Sequence, residues 1–529
     1  MIRAEQLERL REDKAFDLAV IGGGATGLGV ALDAAARGLE VVLLEAVDFA
    51  KGTSSRATKL VHGGVRYLAQ GNIALVREAL SERAKLLANA PHLVQPIAFV
   101  MPSYRWWERS FYGIGLTMYD ALAGRRGLGD TQFLSAAQTL ALLPALRRDG
   151  LSGGVKYWDG QFDDARLALA LARTAHAQGA CVLNHCRVTT LLREGGRLRG
   201  LIAQDTEGGE EFTVRAGCVV NATGVWVDAV RAMDIESGAA AHAPMVAPSQ
   251  GVHLVVDREF LPTDHALLVP KTSDGRVLFA VPWFGKTLLG TTDTPRSDLP
   301  LEPMPFHDEV EFILAEAARY LTRPPERADV RSVWVGLRPL VRPDAEGEGE
   351  GDTKAISREH SVRVARSGLV TVTGGKWTTY RAMAEDVLQR CMQAQLLPDR
   401  PASATAFLPL TGAPKRSGES LTQSPGEHLY GTEVEALHAL PGAARWLWRD
   451  GGGGLSEAMV RFAARFEMAR TVEDMLARRC RLLFLDAAKA AALADEVSWL
   501  LREELGTGFD ADASAAAFKA LAAQYLRLP

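Results

Sequence analysis

The spacing Gly22-x-Gly24-x-x-Gly27 is a phosphate cradle in miniature, and Glu45 follows it at the end of the next apolar run. Each residue type has a task. Gly22 permits a tight turn, Gly24 lets backbone approach a pyrophosphate, and Gly27 lets a helix pack closely on a sheet. Ala25 and Thr26 then open the helix, whose free N–H groups and positive dipole end face the phosphates. Glu45 is placed to accept hydrogen bonds from ribose hydroxyls. Two later strand ends carry the same small-residue character: Asn221-Ala222-Thr223-Gly224 and Thr373-Gly374-Gly375-Lys376. Singly each reads as a turn. Together with the first they read as three edges facing one nucleotide.

The elements around these residues supply the setting that the spacing needs. Phe16 to Ile21 reads as a buried strand, Ala25 to Arg37 as an alanine-rich helix closed by Gly38, and Glu40 to Glu45 as a second strand. That order predicts parallel pairing with a right-handed crossover. Helical patterns follow over 72–90, with Leu75, Ala79, Leu86 and Leu87 on one side, and over 163–178, starting at Asp163 or Asp164 and ending at Gly179. Val182 to Leu183, Arg187 to Leu192 and Cys218 to Ala222 read as strands. From about 245 to 295 the pattern turns β-like, which predicts an antiparallel module inserted between parts of the nucleotide domain. Leu369 to Thr373 is a late strand. The acidic, glycine-rich stretch 345–353 reads as a surface loop, and 412–430 as a linker or long connection. Beyond about 435 the pattern is helical. The expected division is 16–410 for a discontinuous nucleotide domain with its insert at about 245–340, then 431–529 for a helical domain.

Composition narrows the class. The formal net charge of -4 gives no global reason to expect nucleic acid or an anionic surface. Cys181, Cys186, Cys218, Cys391 and Cys480 make an odd set without a Cys-x-x-Cys pair, which argues against a disulfide framework and against a zinc site. Reduced thiols in a cytoplasmic protein are the expectation. Met1 to Lys14 lacks the apolar core of a secretory signal. The longest apolar runs fall short of a bilayer span.

The most specific segment is Thr53-Ser54-Ser55-Arg56-Ala57-Thr58-Lys59-Leu60-Val61-His62-Gly63-Gly64-Val65-Arg66-Tyr67-Leu68. It resembles the flavin-proximal motif of FAD-dependent glycerol-3-phosphate dehydrogenases. Later segments match that family in order: Asn221 to Gly224 with Trp226, Gly290-Thr291-Thr292-Asp293, Gly336-Leu337-Arg338-Pro339-Leu340, and Gly374-Gly375-Lys376-Trp377-Thr378-Thr379-Tyr380-Arg381. Ala469 to Asp486 is similar to the family's helical cap. The resemblance spans roughly 16–500, and Trp377 stands where it leads one to expect leucine.

The resemblance implies an α/β fold: a Rossmann-type FAD-binding domain, an inserted antiparallel β-rich substrate domain of D-amino-acid-oxidase type, and an all-α C-terminal domain. It implies FAD as cofactor, sn-glycerol 3-phosphate as substrate, and a membrane quinone, ubiquinone or menaquinone, as acceptor. It places Thr53, Ser54, Ser55, Lys59, His62, Gly63, Gly64, Ala222, Thr223, Gly224, Gly374, Gly375, Lys376 and Thr378 at the cofactor, and Arg66, Tyr67, Arg338 and Lys376 at the substrate. Arg358 joins the substrate set, with a surface base as the equal alternative. A phosphate dianion needs cationic donors, and arginine's planar fork suits it. Alcohol oxidation also needs a proton acceptor, and the resemblance raises His253 to that role with Arg338 and Lys376 beside it. A histidine in an apolar strand otherwise serves packing. His62 is expected to position the flavin ring.

Tyr104 to Tyr119 interleaves aromatics with arginine, which suits either a membrane interface or a helix packed on the protein's own core. A quinone acceptor favours peripheral attachment at the cytoplasmic face of the inner membrane, and homodimeric assembly is compatible with the same resemblance. Three other readings compete. An oxidase would share fold and substrate but use oxygen. An amine or hydroxy-acid oxidase would need a carboxylate clamp instead of a set of cations. A non-enzymatic nucleotide-binding module would leave the cationic residues unexplained.

Overall fold

The computed structural model describes residues 1–12, 14–64, 72–235, 243–342, 360–416 and 418–529. Arg66, Tyr67, Arg358 and the acidic stretch 345–353 lie outside the described residues.

Phe16–Ile21 is buried at five of its six positions, as a central parallel strand must be. It pairs in parallel with Glu211–Asn221 on one side and Val41–Leu44 on the other. Leu369–Gly374 extends the parallel sheet beyond Glu211–Asn221, and Cys181–Leu183 extends it beyond Val41–Leu44. Helices Ala25–Ala36, Asp164–Ala177 and Tyr380–Gln393 pack side by side against this sheet. Asp163 caps the second of them, its side chain accepting from the Ala165 and Arg166 N–H groups.

The second sheet is mixed. Val246–Asp257 pairs antiparallel with Lys286–Gly290 and with Ser332–Val341. Leu278–Trp283 and Ala266–Val269 continue it, and Ala266–Val269 pairs in parallel with Val94–Ser103. Val94–Ser103 pairs with Gly153–Phe162, and Leu60–Val61 closes the far edge. The sheet thus draws on 60–162 as well as 246–341, where the sequence pattern points to the later stretch alone. The strand period of two then sorts the residues of Val246–Asp257. Val252, Leu254 and Val256 enter an apolar core that helix His307–Tyr320 covers with Val310, Ile313 and Ala317. Gly251 and His253 face the other way, toward the first sheet.

The C-terminal region is helical over Glu457–Phe466, Ala487–Ala492, Ala494–Leu505 and Ala511–Leu526. It also holds a two-stranded hairpin, Trp446–Asp450 with Gly453–Ser456, against the expectation of helix throughout. The stretch 412–430 is not a free linker. Leu421, Leu429 and Tyr430 are buried, and the Phe284 and Gly285 N–H groups donate to the Leu421 and Thr422 carbonyls. All five cysteines are buried and none forms a disulfide.

Buried ion pairs join the C-terminal region to the first domain. Arg478 and Arg479 both donate to Asp48, Arg166 donates to Glu467 at 2.7 Å, and Arg481 donates to Asp164 at 3.1 Å. Asp48, His185 and Asp474 also lie within one ligand-atom cluster. A divalent cation there would face the two guanidiniums that already neutralise Asp48.

Candidate active site

The carboxyl ends of the parallel strands and the inner face of the second sheet enclose a cavity of about 1680 Å³. Gly22, Gly24, Ala25, Thr26 and Glu45 line one end of it. Gly22 sits at φ +110°, and a Cβ there would stand 2.8 Å from the Ala222 carbonyl oxygen. Gly27 lies behind the wall, where a Cβ would overlap the Gly22 carbonyl and drive the helix off the strand. The Glu45 carboxylate accepts from the Gly23 N–H at 2.7 Å and the Val47 N–H at 2.9 Å. Burial pushes its pKa up, and those two donors oppose the shift.

The loop after the second strand forms the next part of the wall. The Ser54 hydroxyl accepts from the Ala25 N–H at 2.9 Å, and the Thr53 hydroxyl donates to the Leu337 carbonyl at 2.6 Å. Trp377 donates from its indole to the Ser54 carbonyl at 2.8 Å, a bond the expected leucine cannot make. His62 and Gly64 line the cavity, and the His62 N–H donates to the Thr378 hydroxyl at 3.2 Å. Ala222, Thr223 and Gly224 stand opposite with Gly374, Gly375 and Lys376.

Three residues of the flavin-proximal segment are set differently from expectation. Lys59 turns inward at φ +65°, is fully buried, and donates to Asp164 at 2.7 Å and to the Ser55 carbonyl at 2.8 Å. Burial lowers its pKa, against the pull of Asp164. Ser55 is buried beside it, and Arg481 donates to the same Ser55 carbonyl at 2.7 Å. The Gly63 N–H donates to the Tyr119 hydroxyl at 2.8 Å. Ser55, Lys59 and Gly63 therefore brace the wall from behind and do not line it.

The other end of the cavity is built by strand register. His253 lies opposite Gly290 on one neighbour and Trp334 on the other, and Ser249 lies opposite Arg338. The His253 ring stacks on Trp334 with centroids 4.0 Å apart and 17° between planes. Its Nε2 is 3.0 Å from the Thr58 hydroxyl. Burial, then the charges of Lys59 and Arg338, hold its pKa well below the usual imidazole value. Arg338 donates to Asp293 at 3.2 Å, to the Thr291 hydroxyl at 3.1 Å and to the Gln250 carbonyl at 3.3 Å. Gly251 leaves the room it needs, since a Cβ there would press into the guanidinium. Thr58, Trp334 and Asp293 were not singled out from sequence. Asp293 and Thr58 lie in quoted motifs, but a hydroxyl or carboxylate carries no periodic signal of its own.

These features fit a flavin dinucleotide. The first turn of helix Ala25–Ala36 has no side-chain cap on Gly24, the carboxylate sits at the next strand end, and small residues line the long wall. Fold and site together define an FAD-dependent oxidoreductase.

The comparisons narrow the class. The FAD dependent oxidoreductase family matches residues 17–389, and the C-terminal domain of alpha-glycerophosphate oxidase matches 373–510. The chain is 41% identical over 536 aligned positions to a human mitochondrial glycerol-3-phosphate dehydrogenase, covering 95% of this chain and 72% of that one. It is 40% identical to an Arabidopsis thaliana relative of the same description, covering 92% and 83%. A glycerol-3-phosphate dehydrogenase from Bacillus halodurans, solved with FAD, superposes at TM-score 0.76 with 28% identity, covering 100% of this chain and 99% of that one. The chain belongs to the FAD-dependent glycerol-3-phosphate dehydrogenase family.

Gly27→Val tests the cradle. The added side chain separates helix from strand, and the purified protein is expected to be colourless, with little FAD released on denaturation. Stoichiometric FAD in that variant would contradict the cradle.

Proposed function

We propose that this protein oxidises the secondary alcohol of sn-glycerol 3-phosphate to dihydroxyacetone phosphate and that its electrons pass to a membrane quinone, ubiquinone or menaquinone. The observation that carries the reading is the shared cavity: His253 and Arg338 stand on one wall of the space whose other end is the dinucleotide cradle. The names of the relatives support the same substrate. Bound FAD supplies a hydride acceptor at its N5 atom. The chain's part is to bind the phosphate dianion with Arg338 and Lys376, joined by Arg66, Tyr67 and Arg358, and to take the hydroxyl proton at His253. His62 positions the isoalloxazine.

Helix Glu108–Ala123 supports contact with a bilayer. Gly113, Leu116, Tyr119 and Ala123 pack inward. Trp107, Phe111, Ile114 and Met118 form an exposed face, and Trp106 beside it is 87% exposed. Phe111, Ile114 and Met118 also line the cavity mouth, so a face dipped into lipid would open the site toward a quinone. Among the described residues no helix is long and apolar enough to cross a membrane. The exposed face supports peripheral attachment, proposed at the cytoplasmic face of the inner membrane. Serine at Phe111, Ile114 and Met118 together is expected to abolish flotation with anionic lipid vesicles while FAD content is kept. Wild-type protein that stays in the lower fraction would contradict the attachment.

The match of 373–510 to an oxidase domain favours a second reading, with oxygen as acceptor. Reoxidation of the reduced protein separates the two. Fast reoxidation by a soluble quinone and slow reoxidation by air support the dehydrogenase; the reverse order supports the oxidase.

A further inference from the structure

We propose that Thr58 is a catalytic residue, its hydroxyl carrying the substrate's hydroxyl proton to His253 Nε2. The proposal rests on the reading of His253 as proton acceptor. The imidazole lines the cavity but offers little surface to a substrate. It is only 2% exposed, its ring lies flat against Trp334, and a Cβ on Gly290 would press on its Cδ2 edge. Nδ1 is closed off from solvent. Nε2 faces the Thr58 hydroxyl at 3.0 Å, and Thr58 is half-buried and lines the cavity beside His62, Gly251 and Arg338. Both residues line the cavity, and the Thr58 hydroxyl occupies the Nε2 that a substrate hydroxyl would otherwise meet.

Its position is held from both sides. The Ala57 N–H donates to Asp164 at 3.0 Å, and Lys59 and Arg481 both donate to the Ser55 carbonyl. The turn is thus anchored by groups buried beneath it. Burial and the nearby Lys59 and Arg338 charges keep the resting imidazole neutral, which is the form that accepts a proton.

A threonine hydroxyl is too weak a base to keep the proton, so the two transfers run together. The substrate O–H breaks as its proton moves to Thr58 Oγ1, and the Thr58 O–H breaks as its proton moves to His253 Nε2. The substrate oxygen keeps the bonding pair, which becomes part of the new carbonyl. Bound FAD would be the two-electron oxidant that takes up the hydride lost from carbon. The imidazole ends with one positive charge.

Thr58→Val keeps the branched shape and removes the hydroxyl; Thr58→Ser keeps the hydroxyl. In anaerobic stopped flow, Thr58→Val is expected to slow flavin reduction by sn-glycerol 3-phosphate by about 10²–10⁴-fold, the usual scale for a lost proton-transfer group. Thr58→Ser should recover most of that rate. Dihydroxyacetone phosphate binding, read as a perturbation of the flavin spectrum, should be unchanged in both. Independently of turnover, the ¹⁵N signals of the His253 ring, identified by their loss in His253→Gln, should shift in Thr58→Val. Wild-type reduction by Thr58→Val, with His253→Gln slow, would overturn the relay and leave His253 as the direct base. Equal slowing in the valine and serine variants would also overturn it, as the mark of a packing role. A wild-type flavin that sn-glycerol 3-phosphate fails to reduce would remove the function reading and this proposal with it.

Discussion

Arg338→Ala is expected to lower kcat/KM for sn-glycerol 3-phosphate by about 10²–10³-fold, on the order of the 2–5 kcal/mol that follows truncation of one partner in a hydrogen-bonded charge pair. The side chain lines the cavity and is held by Asp293, Thr291 and the Gln250 carbonyl, so its direction is set before a ligand arrives. Pre-orientation spares the substrate the cost of ordering a long side chain. Arg338→Lys keeps the charge but loses the planar fork, and only part of the activity should return. Steady-state kinetics and product binding together separate the effects. A loss in KM and product affinity marks a phosphate clamp, whereas a loss in kcat alone marks contact made in the transition state. A variant within threefold of wild type would remove Arg338 from the substrate.

Asp48→Ala is expected to destabilise the protein by about 3–5 kcal/mol, the scale seen when one partner of a buried ion pair is removed. Asp48, Arg478 and Arg479 are all at least 98% buried, so the deletion leaves Arg479 without its carboxylate partner, while Arg478 keeps Glu473 and Asp474. Asn184 also loses a 2.8 Å bond to the Asp48 carboxylate. The effect should reach the cofactor. Asp48 lies between Glu45 and the loop at Thr53 and Ser54, and the arginines come from the C-terminal region. Urea unfolding is expected to begin at lower concentration, and the FAD-to-protein ratio should fall. Unchanged values of both would show that the region is docked by apolar packing alone.

The cofactor half of the site was legible because its demands are local. Gly22, Gly24 and Gly27 sit at one turn, and Glu45 is reached within the same strand–helix–strand unit. The helix Asp164–Ala177 was readable from its capping aspartate and terminal glycine for the same reason. The second sheet was only half legible. Val94–Ser103 and Gly153–Phe162 contain Pro96, Gly153, Gly154 and Gly160, which break the alternation that marks a strand, and their pairing joins distant parts of the chain. The hairpin Trp446–Asp450 with Gly453–Ser456 did carry a signal, aromatic residues ahead of a glycine cluster, but it was absorbed into a helical pattern around it. Lys59 was carried to the cofactor only by the resemblance of the motif that contains it. Its left-handed backbone turns it to Asp164 instead, and φ is not written in residue type. Serine, glycine and proline at 412–430 likewise suggest a linker, while Leu421, Leu429 and Tyr430 are what dock it.

The central claim is that one cavity joins a flavin to a phosphate-bearing alcohol. The direct measurement is anaerobic mixing of the purified yellow protein with sn-glycerol 3-phosphate, glycerol, or a small amino or hydroxy acid, followed at the flavin absorption band. Rapid bleaching by sn-glycerol 3-phosphate, with slow or absent bleaching by the unphosphorylated alcohol, is the predicted result. Bleaching by an amino or hydroxy acid, with an intact flavin left oxidised by sn-glycerol 3-phosphate, would contradict it.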